Sequence, residues 1–352
     1  MSTDGPRHPL TTREGWNAFV SRPTLPEPPR LLAAADLERL DPDERDLYNY
    51  ARMDYHSELN LVATPDIRKI TTTGEKLIIG NRGKQLGRRG LIVSGPSGTG
   101  KSTSITWLGK IHQVGTERRA PRGTGRIPVV YIIVPPAATP KMLAIEIAAF
   151  LGLPFSSHEP QHFITQSVTG VLRKVGCSLI LVDEVHRLDL RTRSGAAASD
   201  QLKYFFDSVS ATFVYAGLDL AENGMFAGMR GRQIAGRFIS LTTSAFGYAT
   251  EAEKEDWHNL VAPVEASLRL HRHKPGTLLH QAAYLHQRTG GMIGSLDQLI
   301  HEAANDAISD GTEKITRKHL DAVVLDTAAE EQYRPPAPRR PATAAARKAS
   351  SS

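Results

Sequence analysis

The sequence predicts an α/β protein in which a parallel, doubly wound sheet is followed by a small helical domain. Apolar runs of strand length alternate with helical segments from residue 90 to residue 241. A glycine-rich motif joins the first of these strands to its helix, and only helical spacing recurs after Thr250. Alternating strands and helices favour a parallel sheet with right-handed crossovers, which binds ligands at the carboxyl ends of its strands.

The first strand, residues 90–94, runs into a G-x-x-x-x-G-K-S motif, and a helical segment follows over 102–112. This is the full context that a phosphate-binding P-loop needs. Its glycines let backbone N–H groups and the next helix N-terminus face an anion. We expect Lys101 to reach the β- and γ-phosphates and the Ser102 hydroxyl to be a Mg²⁺ ligand. The predicted nucleotide-binding residues are Gly95, Pro96, Ser97, Gly98, Thr99, Gly100, Lys101, Ser102 and Thr103.

A second motif, L-I-L-V-D-E over 179–184, predicts a buried strand that ends in two acids. Carboxylates in such a place are costly without a cation, and Mg²⁺ would supply one. We expect Asp183 to hold the metal through its water shell and Glu184 to polarise the attacking water as general base. The alternative is a strand end that turns acidic as it reaches solvent. Together the two motifs predict ATP and Mg²⁺ as cofactors and hydrolysis of ATP to ADP and phosphate.

The other elements are read in chain order from caps and apolar spacing. Helices are predicted at 41–59, with Asp41 as N-cap and Pro42 in the first turn, and at 64–80. Further strands are expected at 129–134, 212–216 and 237–241, and further helices at 141–151, 159–175, 199–209, 251–269, 278–288, 295–309 and 316–325. The resulting division is an extended or disordered arm over 1–35, N-terminal helices over 36–89, an α/β domain over 90–249, a helical lid over 250–326 and a disordered basic tail over 327–352.

The composition points to a polyanion as partner. The chain has 352 residues and a net charge of +6, and its one cysteine, Cys177, cannot form an internal disulfide, which fits a reducing cytoplasm. We expect no membrane association, since no apolar run approaches the length of a membrane span. Basic residues cluster over 67–90, 114–126 and 327–352. Clusters outside the ATP motifs suggest nucleic acid, and the alternative is a solvated cationic surface.

These motifs in this order resemble the AAA+ ATPases, and within them the TniB/TnsC group of transposition ATPases, which are related to the Mu B and IstB proteins. The resemblance covers roughly residues 60–326. Its carriers are Thr64-Pro65 with its basic helix, the P-loop, V-D-E-V-H-R-L over 182–188, Y-A-G-L-D over 215–219, I-A-G-R-F over 234–238 and T-G-G-M-I-G-S-L over 289–296.

The resemblance implies roles for two further residues. Arg237 aligns with the arginine finger, which in AAA+ proteins reaches the γ-phosphate of the neighbouring subunit; the alternative is an ordinary surface arginine. Asp219 stands near the sensor-1 position, although Gly217 and Leu218 could equally hold that register. At the sensor-2 position, where many lids have an arginine, this chain has Gly294. Without this arginine, one less cation contacts the γ-phosphate, which is consistent with slow, regulatory hydrolysis.

The resemblance further implies an ATPase that forms rings or helical filaments of identical subunits on double-stranded DNA. It would select target DNA for the transposase of the same element and activate it. Sequence-independent DNA binding needs cationic contacts to phosphates. We favour the 114–126 loop for these contacts, with Arg118, Arg119, Arg122 and Arg126 as candidates. One alternative, a helicase loader or initiator-like ATPase, shares every nucleotide motif. Another is a nucleotide-dependent scaffold switch that does not hydrolyse ATP, against which the presence of Glu184 argues.

Overall fold

The computed structural model describes residues 8–23, 26–58, 64–119, 125–156, 158–188, 192–220 and 236–333. Its centre is a parallel five-stranded sheet with the strand order β2-β3-β4-β1-β5. The strands are β1 (Gly90–Ser94), β2 (Val129–Ile133), β3 (Leu179–Asp183), β4 (Thr212–Gly217) and β5 (Phe238–Thr242). The predicted fold class, a doubly wound parallel sheet with a helical lid, is confirmed.

Helices flank the sheet and form the second domain. Those before β1 are α1 (Arg13–Ser21), α2 (Ala34–Arg39), α3 (Pro42–Glu58) and α4 (Pro65–Asn81). Those between strands are α5 (Lys101–Glu117), α6 (Pro140–Phe150), α7 (Gln161–Lys174) and α8 (Arg193–Ser208). The lid contains α9 (Glu251–Ser267), α10 (Ala282–Thr289), α11 (Ile293–Ser309), α12 (Arg317–Ala322) and α13 (Thr327–Gln332). Among the described residues, no helix has the length and apolar character that crossing a bilayer requires.

The strand register brings the functional motifs to one edge of the sheet. Every residue of β1, β3 and β4 is buried, as expected for strands covered on both faces. Ser94 at the end of β1 lies opposite Gly217 and Thr242, and Asp183 at the end of β3 lies opposite Ile133. The P-loop and the acidic strand end therefore emerge at the same carboxyl-terminal edge.

The lid has its own apolar core and is hydrogen-bonded to the α/β domain. Trp257, Leu285 and Leu299 are fully buried in it. Its first helix, α9, begins with a capping box in which Thr250 and Glu253 satisfy each other's backbone N–H groups. The Gly294 N–H at the start of α11 donates to the P-loop carbonyl of Gly98 at 3.0 Å. This bond fixes α11 beside the P-loop.

The prediction of an extended arm over 1–35 is wrong for α1, which packs on the α/β domain. Trp16 is buried, stacks on Tyr131 and donates its indole N–H to Gln113 at 2.7 Å. Its ring lies where a Cβ on Gly109 would sit, so the glycine permits the close approach. The Lys110 ammonium donates to carbonyls at the end of α1 and thereby holds this helix on α5. Burial of Trp16 overrides the polar, proline-rich composition of the segment.

The helices over 36–89 pack on two different domains. The Arg52 side chain of α3 is fully buried in the lid, where it donates two hydrogen bonds to Glu313, while α4 packs on α5. The expected disordered tail over 327–352 is also corrected at its start. Helix α13 adds to the lid because Arg288 forms an ion pair with Glu330 and Ala329 is buried. Residues 334–352 lie outside the described part of the chain.

Several predicted helices also start at different residues; the one predicted at 278–288, for example, begins at Ala282. Helix α8 begins at Arg193 rather than at 199, and its N-cap Thr192 accepts the Gly195 N–H. Helix α11 begins at Ile293 rather than at 295. Cap residues and the contact with the P-loop set these starts, and apolar spacing alone does not locate them.

Candidate functional site

The P-loop forms a backbone cradle between β1 and α5. Gly95, Gly98 and Gly100 all have positive φ angles of 153°, 75° and 81°. A Cβ on Gly95 would lie 2.2 Å from the Thr243 carbonyl oxygen, so only glycine fits there. Helix α5 starts directly after Gly100, and its unpaired N–H groups and positive dipole end face the cradle. Such a cradle suits a phosphate.

Lys101 supplies the cation of the cradle. Its side chain is buried, and its ammonium donates to the Pro96 carbonyl within the loop. Burial lowers the pKa of Lys101, and the carboxylates of Asp183, Glu184 and Asp219 oppose that shift. The ammonium therefore interacts electrostatically with three carboxylates, and a bound phosphate would be a further anionic partner.

Asp183 is held in a fixed orientation at the end of β3. It is buried, one carboxylate oxygen accepts the Glu184 N–H at 2.8 Å, and the other accepts the Tyr131 hydroxyl at 3.1 Å. Burial raises the pKa of the Tyr131 hydroxyl, and Asp183 raises it further, so this tyrosine remains a donor. A fixed, negatively charged oxygen donor beside the P-loop suits Mg²⁺, with Ser102 as the hydroxyl ligand expected from the sequence.

Glu184 has a strained backbone conformation. Its φ of 58° is in the left-handed region, which a non-glycine residue occupies only when its surroundings hold it there. Its carboxylate lies 3.2 Å from the Arg187 guanidinium and 3.6 Å from His186 Nε2. Arg187 also donates to the Val134 carbonyl, and His186 Nδ1 accepts the Leu218 N–H at 3.3 Å. The end of β4 is thus linked to the Glu184 carboxylate.

The residues that follow β4 and β5 also lie at the carboxyl-terminal edge, next to the P-loop. The Thr99 hydroxyl of the P-loop is 2.7 Å from the Thr243 hydroxyl after β5, and this contact holds the loop to the sheet. Asp219 follows β4 with a φ of 40° and is exposed. It acts on the Lys101 ammonium, whereas Leu218 lines the pocket itself. Asp219 is not among the residues that line the cavity, and its sensor-1 role stays a prediction.

The lid closes one side of this site. A cavity of about 320 Å³ lies between the P-loop and α11. Its lining residues include Ser97, Gly98, Gly100, Lys101, Ser102, Thr103 and Glu184 from the α/β domain and Ile293, Gly294 and Asp297 from the lid. Gly294, where the resemblance implies the sensor-2 position, contacts the P-loop through its backbone and has no side chain to supply a cation.

Arg237 is not brought into this site. It precedes β5 at the amino-terminal edge of the sheet, where its guanidinium pairs with Asp207 at 2.6 Å. Both partners are about half exposed. A role for Arg237 in ATP hydrolysis would therefore require a neighbouring subunit.

The amino-terminal edge also gathers the basic residues. Helices α4, α5 and α7 end there, and each carries cations at or after its last turn. The exposed residues of this amino-edge patch are Arg82, Lys84, Arg89, Arg118, Arg119, Arg126, Arg173 and Lys174. Burial lowers the pKa of His112 from 6.5 to about 4, and Arg82 and Arg119 lower it further. Two clusters that are distant in sequence therefore meet around α5, while Arg122 lies outside the described residues.

Sequence reasoning missed several residues of the site. Tyr131, Thr243 and Asp297 have no local signal, because they join the site only through strand order or lid docking. His186 and Arg187 follow the acidic pair after Val185 and could have been found by considering what holds the Glu184 carboxylate. Sequence spacing placed the P-loop and the acidic strand end together, which the structure also does.

Several solved structures share this fold. The chain is similar to the Aeropyrum pernix ORC1 protein in its complex with DNA, with a TM-score of 0.57 and 17% identity, over 79% of this chain and 67% of that one. It is also similar to the ADP form of the Aeropyrum pernix ORC2 protein, with a TM-score of 0.58 and 13% identity, over 76% and 71% of the two chains. For Drosophila ORC bound to DNA, the TM-score is 0.52 and the identity 14%, over 88% and 71%. The fold is that of the AAA+ P-loop proteins.

The family of this protein is shown by comparison of its sequence with family models. No curated protein matches the chain. The family model described as "Bacterial TniB protein" matches residues 52–248, more than half of the 352 residues, and the match spans the P-loop, the acidic strand end and Arg237. The chain is therefore a member of the bacterial TniB protein family.

Proposed function

We propose that this protein is an ATP-dependent DNA-binding ATPase that assembles on double-stranded DNA and selects target DNA for a transposase, which it activates. The observation that carries the proposal is the division of chemistry between the two sheet edges. A phosphate cradle with a buried lysine and two fixed carboxylates lies at one edge, and an exposed basic patch lies at the other. Family membership supports the role in transposition.

The carboxyl-terminal edge suits hydrolysis of ATP with Mg²⁺. The P-loop N–H groups and Lys101 would hold the β- and γ-phosphates, and Ser102 and Asp183 would hold Mg²⁺. The metal would neutralise the charge that develops on the transferred phosphoryl group. Glu184 would orient the water, with Asp219 beside it. The ion pair of Glu184 with Arg187 and the glycine at position 294 support slow, regulatory hydrolysis.

An arginine finger would come from a neighbouring subunit. Arg237 lies at the edge opposite the chain's own P-loop, so a head-to-tail neighbour would have to present it. Such heterologous contacts produce rings or helical filaments. The Arg237–Asp207 pair would have to open on assembly, and exposed pairs of this kind contribute little to stability.

The amino-edge patch suits the phosphate backbone of DNA. Arg118 and Arg119 are exposed, and Arg119 lies close enough to Arg82 for both to act on His112. Five strands at about 4.8 Å spacing give an edge about 20 Å wide, comparable to a duplex. Contacts made by arginine and lysine to phosphates bind without reading sequence.

The test is electron microscopy and DNA-binding titration of the full chain with a non-hydrolysable ATP analogue and random-sequence duplex. We expect rings or filaments on DNA only with the nucleotide, and Lys101→Ala should abolish them. Reversing the patch charges by Arg118→Glu with Arg119→Glu should remove DNA binding. The matched control, Lys314→Glu with Lys318→Glu on the exposed lid surface, should keep it. Nucleotide-independent DNA binding, or equal loss in the control, would contradict the proposal.

The role in transposition has its own test. Purified transposase of the same element should be retained on DNA that carries this protein and ATP, and it should not be retained with Lys101→Ala. Retention of a replicative helicase instead would favour the loader or initiator alternative. That alternative is kept because the similar solved structures include the ORC1 and ORC2 proteins of Aeropyrum pernix.

A further inference from the structure

Asp297 of lid helix α11 is the one lid carboxylate that lines the candidate nucleotide cavity among the described residues. It follows Gly294 by one helical turn, and Gly294 is hydrogen-bonded to the P-loop. About a third of the Asp297 side chain is exposed. The lid therefore presents a carboxylate to the space in which a nucleotide would lie.

The chemistry of Asp297 is opposite to that of the P-loop. An ionised carboxylate only accepts hydrogen bonds, whereas the cradle is built from N–H groups, an ammonium and hydroxyls. A triphosphate chain also offers only acceptors, so it cannot donate a hydrogen bond to Asp297. The donors on ATP are all in the nucleoside: the ribose hydroxyls and the amino group of the base.

His301, the next residue on the same helical face, orients Asp297. Its Nδ1 lies 3.4 Å from an Asp297 carboxylate oxygen, and its side chain is about nine-tenths buried. The other Asp297 oxygen is buried and has no hydrogen-bond partner among the described residues. The same holds for His301 Nε2. Unpartnered buried atoms are uncommon. Because a buried oxygen does not reach the cavity, only the Asp297 oxygen beside His301 is available to a ligand there.

We propose that Asp297, oriented by His301, accepts a hydrogen bond from a donor on the nucleoside of the bound nucleotide. This inference rests on the proposed nucleotide site and adds a specificity-determining residue to it. The shared chemistry is a hydrogen-bond donor, which either the ribose or the base amino group can supply. Through Asp297 the lid would bind the nucleoside, while the P-loop binds the phosphates.

The test is calorimetric measurement of Kd for ATP, 2′-deoxy-ATP, 3′-deoxy-ATP and ITP with the full chain and Mg²⁺. ITP lacks the amino group of the base, so the four ligands separate the two sources of donor. The wild type should bind at least one analogue about tenfold more weakly than ATP, as loss of a hydrogen bond to a charged group predicts. Asp297→Ala should bind ATP about tenfold more weakly and should lose the discrimination.

His301 is tested as a positioning residue. His301→Leu should reduce the discrimination in part, and His301→Gln, which can still donate to Asp297, should restore it. Asp297→Asn serves as a second variant if Asp297→Ala does not fold. Equal Kd values of the wild type for all four ligands would overturn the inference, as would a discrimination unchanged in the folded Asp297 variants. Failure of the wild type to bind ATP at all would instead refute the nucleotide site itself.

Discussion

The two edges of the same parallel sheet carry opposite kinds of chemistry. At the carboxyl-terminal edge, Lys101 and Asp183 are buried and each has defined partners. At the amino-terminal edge, Arg118 and Arg119 are exposed and belong to a broad patch. Charges that are withdrawn from water interact strongly and depend on position, whereas exposed charges are screened beyond about 10 Å. The first edge is suited to one small anion in one geometry, and the second to a long anion in many registers.

The largest expected effect comes from breaking the carboxyl-terminal edge at Glu184. Glu184→Gln keeps the shape of the side chain and removes the base, so ATP turnover should fall about 10²- to 10⁴-fold. ATP affinity and DNA binding should change little. Phosphate release and calorimetry would measure the two properties, and Lys101→Ala, which should lose affinity as well, is the comparison. Turnover that persists in Glu184→Gln would exclude this residue as the base.

The second effect concerns the amino-edge patch. If Arg118 and Arg119 each contact one phosphate, neutralising both should lower the slope of log K against log salt by about 2. Arg118→Gln with Arg119→Gln should leave turnover without DNA unchanged, because these residues lie far from the P-loop. Fluorescence anisotropy at several salt concentrations would measure the slope. An unchanged slope with weaker binding would indicate that these arginines act on folding rather than on phosphate.

A smaller effect is expected at Arg187, which holds the Glu184 carboxylate. Arg187→Ala frees one carboxylate oxygen to accept a water, so turnover without DNA should rise about threefold, the scale of a net hydrogen bond. Arg187→Lys keeps the charge and should stay near the wild type. Steady-state assays without DNA would decide the point. A fall in Arg187→Ala would mean that the arginine orients the base productively.

The last effect is on stability rather than on activity: the free energy of unfolding should depend on pH. The pKa of His112 in the folded protein is lowered to about 4 by burial and by Arg82 and Arg119, and that of His56 is also lowered to about 4, chiefly by burial. The unfolded chain binds protons near pH 6.5, so the free energy of unfolding should fall as the pH decreases from 6.5 to 4. Each histidine accounts for at most about 3 kcal/mol.

Denaturant unfolding at pH 7 and pH 5 would measure this dependence. His112→Gln should flatten it in part. Arg119→Gln should weaken it slightly, because one of the cations that lower the pKa of His112 is lost. A stability that does not change over this pH range would show that the two rings are not buried in the neutral form.

The sequence predicted the first edge better than the second, for a physical reason. Phosphate binding by backbone needs glycines at fixed spacing, so the P-loop and the strand that ends in Asp183 can be read locally. The amino-edge patch depends on where α4 and α5 end relative to each other, which only the folded sheet decides. Asp297 depends on the docking of the lid. Trp16 was missed because a proline-rich composition outweighed its helical spacing with Phe19 and Val20.

The docking of α1 bears on how the boundaries of this protein are drawn. The family match begins at residue 52, whereas Trp16 fills a place against Tyr131 in the main core. A chain shortened to begin at residue 52 would lack the Trp16 ring that packs against α5. It would also leave the Lys110 ammonium without the carbonyls of Phe19 and Arg22 to which it donates. Removing a buried tryptophan costs about 3–5 kcal/mol, a large part of the stability of a typical domain. The folding unit therefore extends well beyond residues 52–248, the segment that the family model matches.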